Sequence, residues 1–193
     1  MMRRSPAWDD VVYWALDLET GGLDPARDPV LSVGMVPVRE GIVKVGESFY
    51  SLIRADGRIG SDSLIVHHIL PGELAAASPR QTVVDEIDAR VREGVLLVHF
   101  AAMDVPFLRR LYKAARRRWP RPPVVDTAAL ADRLSRRLFD DTSEATTDLT
   151  RIRDHFGLPR YHQHHALSDA LATAELFLVL RHRAGAQTLR DLS

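Results

Sequence analysis

The sequence contains no cysteine among its 193 residues. This absence excludes disulfides, thiolate zinc sites and cysteine nucleophiles, so any metal would be held by carboxylates, histidines and water. It also makes the cytoplasm the default compartment. Net charge is lacking as well, because 26 Lys and Arg residues offset 26 Asp and Glu residues. A polyanion would therefore be held by a local basic patch and not by the field of the whole molecule.

The sequence also lacks an apolar stretch long enough to cross a membrane. Its charged start is followed by Trp8-Asp9-Asp10, where a signal peptide would need an apolar segment. With 46% hydrophobic residues, a chain of this length can bury one substantial core. We therefore expect no membrane association and a single domain over residues 11–184, with short tails at 1–10 and 185–193.

Hydrophobic periodicity and turn residues place strands before helices. Strands are predicted at residues 11–17, 30–38, 42–53, 95–100 and 124–126, with a hairpin at Glu40-Gly41. Helices are predicted at residues 61–70, 78–92, 104–118, 127–138, 148–156 and 166–183. This order predicts an α/β domain whose sheet is partly antiparallel and partly parallel.

Two acids interrupt the first predicted strand. Because strand side chains alternate between faces, Asp17 and Glu19 point the same way, while Leu16 and Leu18 point into a core. Adjacent carboxylates repel unless a proton or a cation lies between them, and oxygen ligands suit hard ions such as Mg²⁺ or Mn²⁺. The pair therefore indicates a metal site.

Two further acids lie at helix starts. Asp104 follows the apolar run 95–100, and on its own it would be interpreted as a helix N-cap with Pro106 in the first turn. Asp169 lies in a helix that is apolar nearly all round, where a buried acid needs a partner. Glu175 in the same helix is more simply interpreted as exposed or salt-bridged.

The order Asp17-x-Glu19, then Asp104, then His164 five residues before Asp169 resembles the three motifs of the DEDDh (DnaQ-like) 3'-5' exonucleases. This family includes the proofreading epsilon subunit of bacterial DNA polymerase III. The resemblance runs from about residue 11 to residue 180, through segments 17–23, 99–108 and 164–170. Three motifs in order, each in a matching structural context, form a specific signal.

The resemblance implies an RNase H-like mixed sheet, antiparallel in its first three strands and then parallel, flanked by helices. It also implies that two divalent ions, Mg²⁺ or Mn²⁺, are bound by the acids. One ion would be held by Asp17, Glu19 and Asp169 and would bind the attacking water. The other would be held by Asp17, with Asp104 acting directly or through water, and would stabilise the leaving 3'-oxygen.

The same resemblance makes His164 the general base, because an imidazole can take and release a proton near neutral pH. Its spacing to Asp169 would not put both residues on one helix face, so His164 is predicted to lie on the preceding loop. His162 and His165 are close in sequence. A histidine-rich tract of this kind could instead bind Zn²⁺ or Ni²⁺ adventitiously.

The family pattern also implies contacts with the terminal nucleotide. These contacts are assigned to Thr20, Gly21, Gly22, Leu23, His67 and Phe107. His68 and Phe100 depart from the pattern, where glycine and asparagine are usual. A basic run over residues 109–121, interleaved with Tyr112 and Trp119, is either a solvated helix or a contact to phosphates beyond the scissile one.

The sequence therefore predicts a metal-dependent 3'-5' exonuclease that releases nucleoside 5'-monophosphates from single-stranded DNA. The alternatives are an oligoribonuclease-like enzyme that trims RNA 3' ends and, from another class, a non-catalytic module that binds nucleic acid or a polymerase. Candidate partners are 3' ends of DNA or RNA and a DNA polymerase or another replication or repair protein. No long tail follows the last helix, which favours a free-standing enzyme.

Overall fold

The computed structural model describes residues 5–54, 72–73, 76–138 and 147–192. The strands are β1 (Tyr13–Thr20), β2 (Val30–Arg39), β3 (Ile42–Val43), β4 (Phe49–Leu52), β5 (Val95–Val98) and β6 (Val124–Asp126). The helices are α1 (Arg80–Glu93), α2 (Ala101–Ala114), α3 (Thr127–Leu138), α4 (Leu149–His155), α5 (Ala166–Ala184) and α6 (Leu189–Leu192). The predicted helical turn at 61–70 lies outside the described residues.

The six strands form one mixed sheet in the order β3-β2-β1-β5-β6, and β4 also pairs with β2. The pairs β1–β2, β2–β3 and β2–β4 are antiparallel. The pairs β1–β5 and β5–β6 are parallel. The predicted change from antiparallel early strands to parallel later ones is confirmed.

Several predicted boundaries are wrong, and β1 runs over Tyr13–Thr20 and not over residues 11–17. Residues 42–53 form two short strands and not one, because a single 3-10 turn, Val45–Glu47, separates them and contains a glycine, which is a poor strand former. Strand β5 ends at Val98, since Phe100 has a left-handed backbone with φ 73° and starts the turn into α2. Helix α2 begins at Ala101 and ends at Ala114, three residues earlier at its start than predicted.

The sheet separates two hydrophobic cores. On one face, Tyr13 and Ala15 of β1 belong to the core that α5 fills with Ala170, Ala174 and Phe177. On the other face, β1 supplies apolar side chains to the core formed with α1 and α2. Alternate residues of β1 therefore reach opposite cores, which places the end of this strand between α2 and α5.

The described parts of the two predicted tails pack onto the domain. Ala7 forms a β-bridge with Thr188, and Leu192 at the other end is buried. The guanidinium of Arg181 lies 3.9 Å from the ring centroid of Trp8. Within the described residues, none of the helices has the length and apolar character needed to cross a membrane.

Candidate active site

The end of strand β1 carries the first two acids. Leu16 and Leu18 belong to the core on the α1–α2 side, and Asp17 and Glu19 alternate with them, so the acids face α5 as the sequence predicted. Glu19 is only 5% exposed and Asp17 is half-buried. An acidic pair in such a position requires charge compensation if both groups are ionised.

Helix α5 brings a third acid to the pair. One carboxylate oxygen from each of Asp17, Glu19 and Asp169 lies within 4.8 Å of the others. Among the described residues, this is the one group of three or more acids or histidines close enough to share a metal ion. Residues separated by about 150 positions in the chain thus meet at one point.

Burial and the charges of neighbouring carboxylates raise the pKa values of Asp17 and Asp169. Burial is the largest cause that raises the pKa of Asp17, and the charges of Asp104, Glu19 and Asp169 raise it further. The pKa of Asp169 is also raised by burial and then by Glu19, although backbone hydrogen bonds from His164 and His165 oppose the shift. A divalent cation would relieve this repulsion, and the all-oxygen donor set suits Mg²⁺ or Mn²⁺.

Asp104 lies in the first turn of α2, buried at 6% exposure. Its pKa is raised by burial and by the charges of Asp126 and Glu19, and its own charge is the strongest that acts on Asp17. Asp104 is not part of the group of three within 4.8 Å. Asp104 is therefore outside that group, but its charge acts on the carboxylate of Asp17.

The interpretation of Asp104 as an N-cap is wrong, because Asp126 carries out that role. Asp126 accepts hydrogen bonds from the backbone N–H groups of Phe100 and Ala101 at 2.9 and 2.8 Å. The same carboxylate accepts the N–H of Ala128 at 2.9 Å at the start of α3. One side chain thus caps two helices, and the carboxylate of Asp104 is not needed as a cap.

Gly34 permits the approach of α5 to the sheet. It lies opposite Asp17 in the β1–β2 register. A Cβ at this position would overlap the carbonyl group of Ala166 and the amide nitrogen of Leu167. The first turn of α5 therefore rests directly on the sheet beside Asp17. Gly34 is not among the predicted site residues, although an isolated glycine within a strand is a signal of close backbone approach.

His164 lies on the loop before α5, as predicted, and is exposed. Its backbone has φ 62°, a left-handed conformation that is uncommon for residues other than glycine. Its N–H donates to Oδ2 of Asp169 at 2.9 Å. The loop conformation and the orientation of the third acid are thus coupled.

The neighbouring His165 has a different environment. Its ring stacks on Tyr50 of β4, with centroids 4.8 Å apart and an angle of 19° between planes. Tyr50 lies opposite Gly34 in the β2–β4 register, so the ring pair lies on the same sheet face as Asp17. His165 therefore packs against the sheet at the point where the helix begins.

The loop after β1 contains the residues predicted to contact the terminal nucleotide. The Thr20 hydroxyl donates to the carbonyl of Gly22 at 2.6 Å, and the N–H of Gly21 donates to the carbonyl of Pro29 at 2.8 Å. Leu23 is 77% exposed at the tip. The loop is held tightly at its base and presents one apolar side chain to solvent.

One predicted contact residue, Phe107, is part of a hydrophobic core. Phe107 is 1% exposed and belongs to the core on the α1–α2 side, so its side chain has a packing position. His67 lies outside the described residues. Part of the basic run is also engaged elsewhere, because Arg110 donates to the carbonyls of Pro25, Arg27 and Asp28.

Comparison with known proteins agrees with this geometry. A sequence profile of the exonuclease family, RNase_T, matches residues 14–177. The chain belongs to this family.

Similar chains include replication proteins. The chain is 28% identical over 173 residues to the DNA polymerase III PolC-type protein of Thermotoga petrophila. The matched region covers 89% of this chain and 12% of that protein. The chain is also 28% identical over 173 residues to the DNA polymerase III subunit epsilon of Treponema pallidum. This match covers 89% of this chain and 77% of the epsilon subunit. The chain thus spans about an eighth of the PolC-type protein and most of the epsilon subunit.

Solved structures share the fold. Exonuclease I of E. coli in complex with a dT13 oligonucleotide superposes with a TM-score of 0.77 at 16% identity, covering 91% of this chain and 42% of that one. Cell-death related nuclease 4 superposes with a TM-score of 0.78 at 14% identity. That match covers 92% of this chain and 65% of the nuclease chain. The predicted RNase H-like sheet flanked by helices is confirmed.

Proposed function

We propose that this protein is a metal-dependent 3'-5' exonuclease of the DEDDh type that releases nucleoside 5'-monophosphates from single-stranded DNA. The observation that carries the proposal is the convergence of Asp17, Glu19 and Asp169 within 4.8 Å, with Asp104 beside them. Membership of the exonuclease family makes a phosphodiester the bond to be hydrolysed.

Two divalent ions, Mg²⁺ or Mn²⁺, fit these residues. Asp17, Glu19 and Asp169 would hold one ion, and Asp17 with Asp104 would hold the other. When bound, such ions lower the pKa of the attacking water and neutralise charge on the leaving 3'-oxygen. The raised pKa values of Asp17 and Asp169 support this assignment, since burial and neighbouring carboxylates raise them and a bound cation would offset that repulsion.

His164 would accept the proton of the attacking water. It is exposed and lies on the loop beside Asp169, and an imidazole is the side chain that most often serves as a general base. His165 is less suited to this role, because its ring is stacked on Tyr50. Both histidines are close to the cluster, so the assignment depends on ring environment and not on proximity alone.

The loop formed by Thr20, Gly21, Gly22 and Leu23 would receive the terminal nucleotide. Leu23 offers an exposed apolar surface against which a base can pack. A Cβ on Gly21 would lie 2.8 Å from Cδ of Pro29, so the tight turn that presents Leu23 depends on glycine. Packing against a base face tolerates any sequence, which suits a non-specific exonuclease.

Single-stranded DNA is favoured as substrate because the similar chains include DNA polymerase III proteins and the similar structures include exonuclease I bound to DNA oligonucleotides. A DNA polymerase is a candidate partner for the same reason. The test compares single-stranded DNA and RNA of one sequence, each with Mg²⁺ or Mn²⁺, using the wild type and Asp17→Ala.

We expect the wild type to shorten DNA faster than RNA and Asp17→Ala to shorten neither. Asp132→Ala is the matched control, because Asp132 is a surface acid that pairs with Arg136 on α3. Faster shortening of RNA would replace DNA with RNA as the substrate. Binding of either strand without metal-dependent cleavage would overturn the enzymatic proposal in favour of a binding module.

A further inference from the structure

Arg153 is a buried arginine at the back of the His164 loop. It lies on α4 and is 4% exposed. Its Nη1 donates to the carbonyl of Ala172 on α5 at 2.5 Å, and its Nη2 donates to the carbonyl of Pro159 at 2.7 Å. Nη2 also pairs with Glu175 of α5 at 2.8 Å. One guanidinium thus joins α4, α5 and the loop between them.

Tyr161 connects the same cluster to the loop. Its hydroxyl donates to Oε1 of Glu175 at 2.8 Å, and the guanidinium of Arg153 lies 5.0 Å from its ring centroid. Tyr161 is three residues before His164. We call Arg153, Tyr161 and Glu175 the loop clamp. It fixes the loop at Pro159 and Tyr161, immediately before the segment that reaches Asp169.

The loop requires such support because of the backbone of His164. A left-handed conformation at a residue other than glycine costs free energy and persists only where the surroundings determine it. On one side, the N–H of His164 is held by Asp169. On the other side, the loop clamp holds the chain through a buried, charged network.

We infer that Arg153 is a positioning residue that places His164 for the reaction, an inference that rests on the proposed function. Within the described part of the chain, the guanidinium of Arg153 bonds to Ala172, Pro159 and Glu175, and not to the three acids or to the loop after β1. Its effect on catalysis passes through Pro159, Tyr161 and the strained backbone of His164. Loss of the clamp lets the imidazole leave its position while the acids on β1 stay where they are.

The first measurement is the steady-state kinetics of Arg153→Met on single-stranded DNA. Methionine approximates the buried stem and removes every donor. We expect kcat to fall by at least about tenfold while KM changes less than about threefold, because the proposed contacts to DNA are unchanged. Arg160→Ala is the matched control, since Arg160 forms an exposed pair with Asp154 on the same segment and its removal leaves kcat unchanged.

Tyr161→Phe provides a second variant that preserves the core. It removes only the hydrogen bond to Glu175 and keeps the ring, so we expect this variant to fold. It therefore still tests the inference if Arg153→Met does not fold. We expect a smaller fall in kcat, about two- to fivefold, again with KM unchanged. Arg153→Lys restores the charge but not the forked donor geometry, so kcat recovers only in part.

The decisive test is a double-mutant cycle with His164→Ala, measured in single turnover with excess enzyme. If Arg153 acts through His164, Arg153→Met or Tyr161→Phe changes the residual rate of His164→Ala by less than about twofold. An equal loss in both backgrounds would overturn the inference and leave the proposed function intact. A rise in KM at constant kcat would also overturn it. No cleavage by the wild type would overturn the proposed function and this inference together.

Discussion

Gly34 lies opposite Asp17 in the sheet, and the first turn of helix α5 rests on the space where a Gly34 side chain would be. The absence of one Cβ on β2 therefore sets how closely Asp169 approaches Asp17 and Glu19. The acidic cluster depends on this contact as much as on the acids themselves.

We predict that Gly34→Ala weakens both the fold and the site. The added methyl group overlaps the backbone of Ala166 and Leu167, so α5 must move away from the sheet. Overpacking of this kind costs about 1–3 kcal/mol of the free energy of unfolding. The midpoint of urea denaturation and the cleavage rate should both decrease. Gly46→Ala is the control, because a Cβ at Gly46 has no neighbour within 4 Å, and it should change neither quantity.

We predict that the stability of the metal-free protein falls as pH rises. The pKa values of Asp17, Asp104 and Asp169 are raised by burial, so the folded state binds more protons than the unfolded state between the ordinary carboxylate range and the raised values. The contribution of these three groups to stability is therefore fully present below that window and is lost as pH rises through it. Mg²⁺ or Mn²⁺ should raise Tm, and the increase should be larger at about pH 8 than at about pH 5.

The substitution that tests this pH dependence is Asp17→Asn. It should raise Tm of the metal-free protein near neutral pH and reduce the response to metal. Thermal unfolding at several pH values, with and without metal, measures both effects. Asp132→Asn on α3 should change neither. An Asp17→Asn protein that keeps the full metal response would contradict the metal assignment.

We predict that His164→Ala lowers kcat by roughly 100- to 10,000-fold, the usual range for loss of a general base. His165→Ala removes a ring stacked on Tyr50 and should leave kcat close to the wild-type value. Single-turnover cleavage of DNA with saturating metal separates this effect from binding. Equal losses for the two variants would show that the assignment of the base to His164 is wrong.

We predict that Asp126→Ala lowers both stability and activity. Its carboxylate caps α2 and α3, and α2 carries Asp104. Loss of a cap costs about 0.5–2 kcal/mol per helix, which urea denaturation can measure. The decrease in kcat should exceed that of Asp191→Ala, which removes the carboxylate that accepts the N–H of Thr188 beyond the far end of α5. Similar kcat values for the two variants would contradict a role for Asp126 in placing Asp104.

The placement of Asp17, Glu19 and His164 on their local elements can be predicted from the sequence because the signals are local. Alternation along β1 places Asp17 and Glu19 on one face, and the spacing from His164 to Asp169 predicts a loop before a helix. The start of α2 was misplaced since Asp104 and Pro106 satisfy the same local rules as a cap. The true cap, Asp126, is 22 residues further along the chain, and no local pattern joins it to α2.

The supporting residues depend on contacts between distant segments. Gly34 can be recognised only once α5 is known to cross β2, and Arg153 only once α4 is known to pack against α5. Glu175 gave a partial signal, because it interrupts an apolar helix and was interpreted as exposed or salt-bridged. Its pairing with Arg153 confirms the second of these interpretations.

The central claim is that the acidic cluster cleaves phosphodiester bonds from the 3' end. The most direct measurement follows single-stranded DNA labelled at its 5' end, in Mg²⁺ or Mn²⁺, for the wild type and Asp17→Ala. We expect a ladder of labelled products that shorten one nucleotide at a time in the wild type, with none for Asp17→Ala or after chelation of the metal. Immediate release of the 5' label as a mononucleotide, or cleavage that persists in Asp17→Ala, would contradict it.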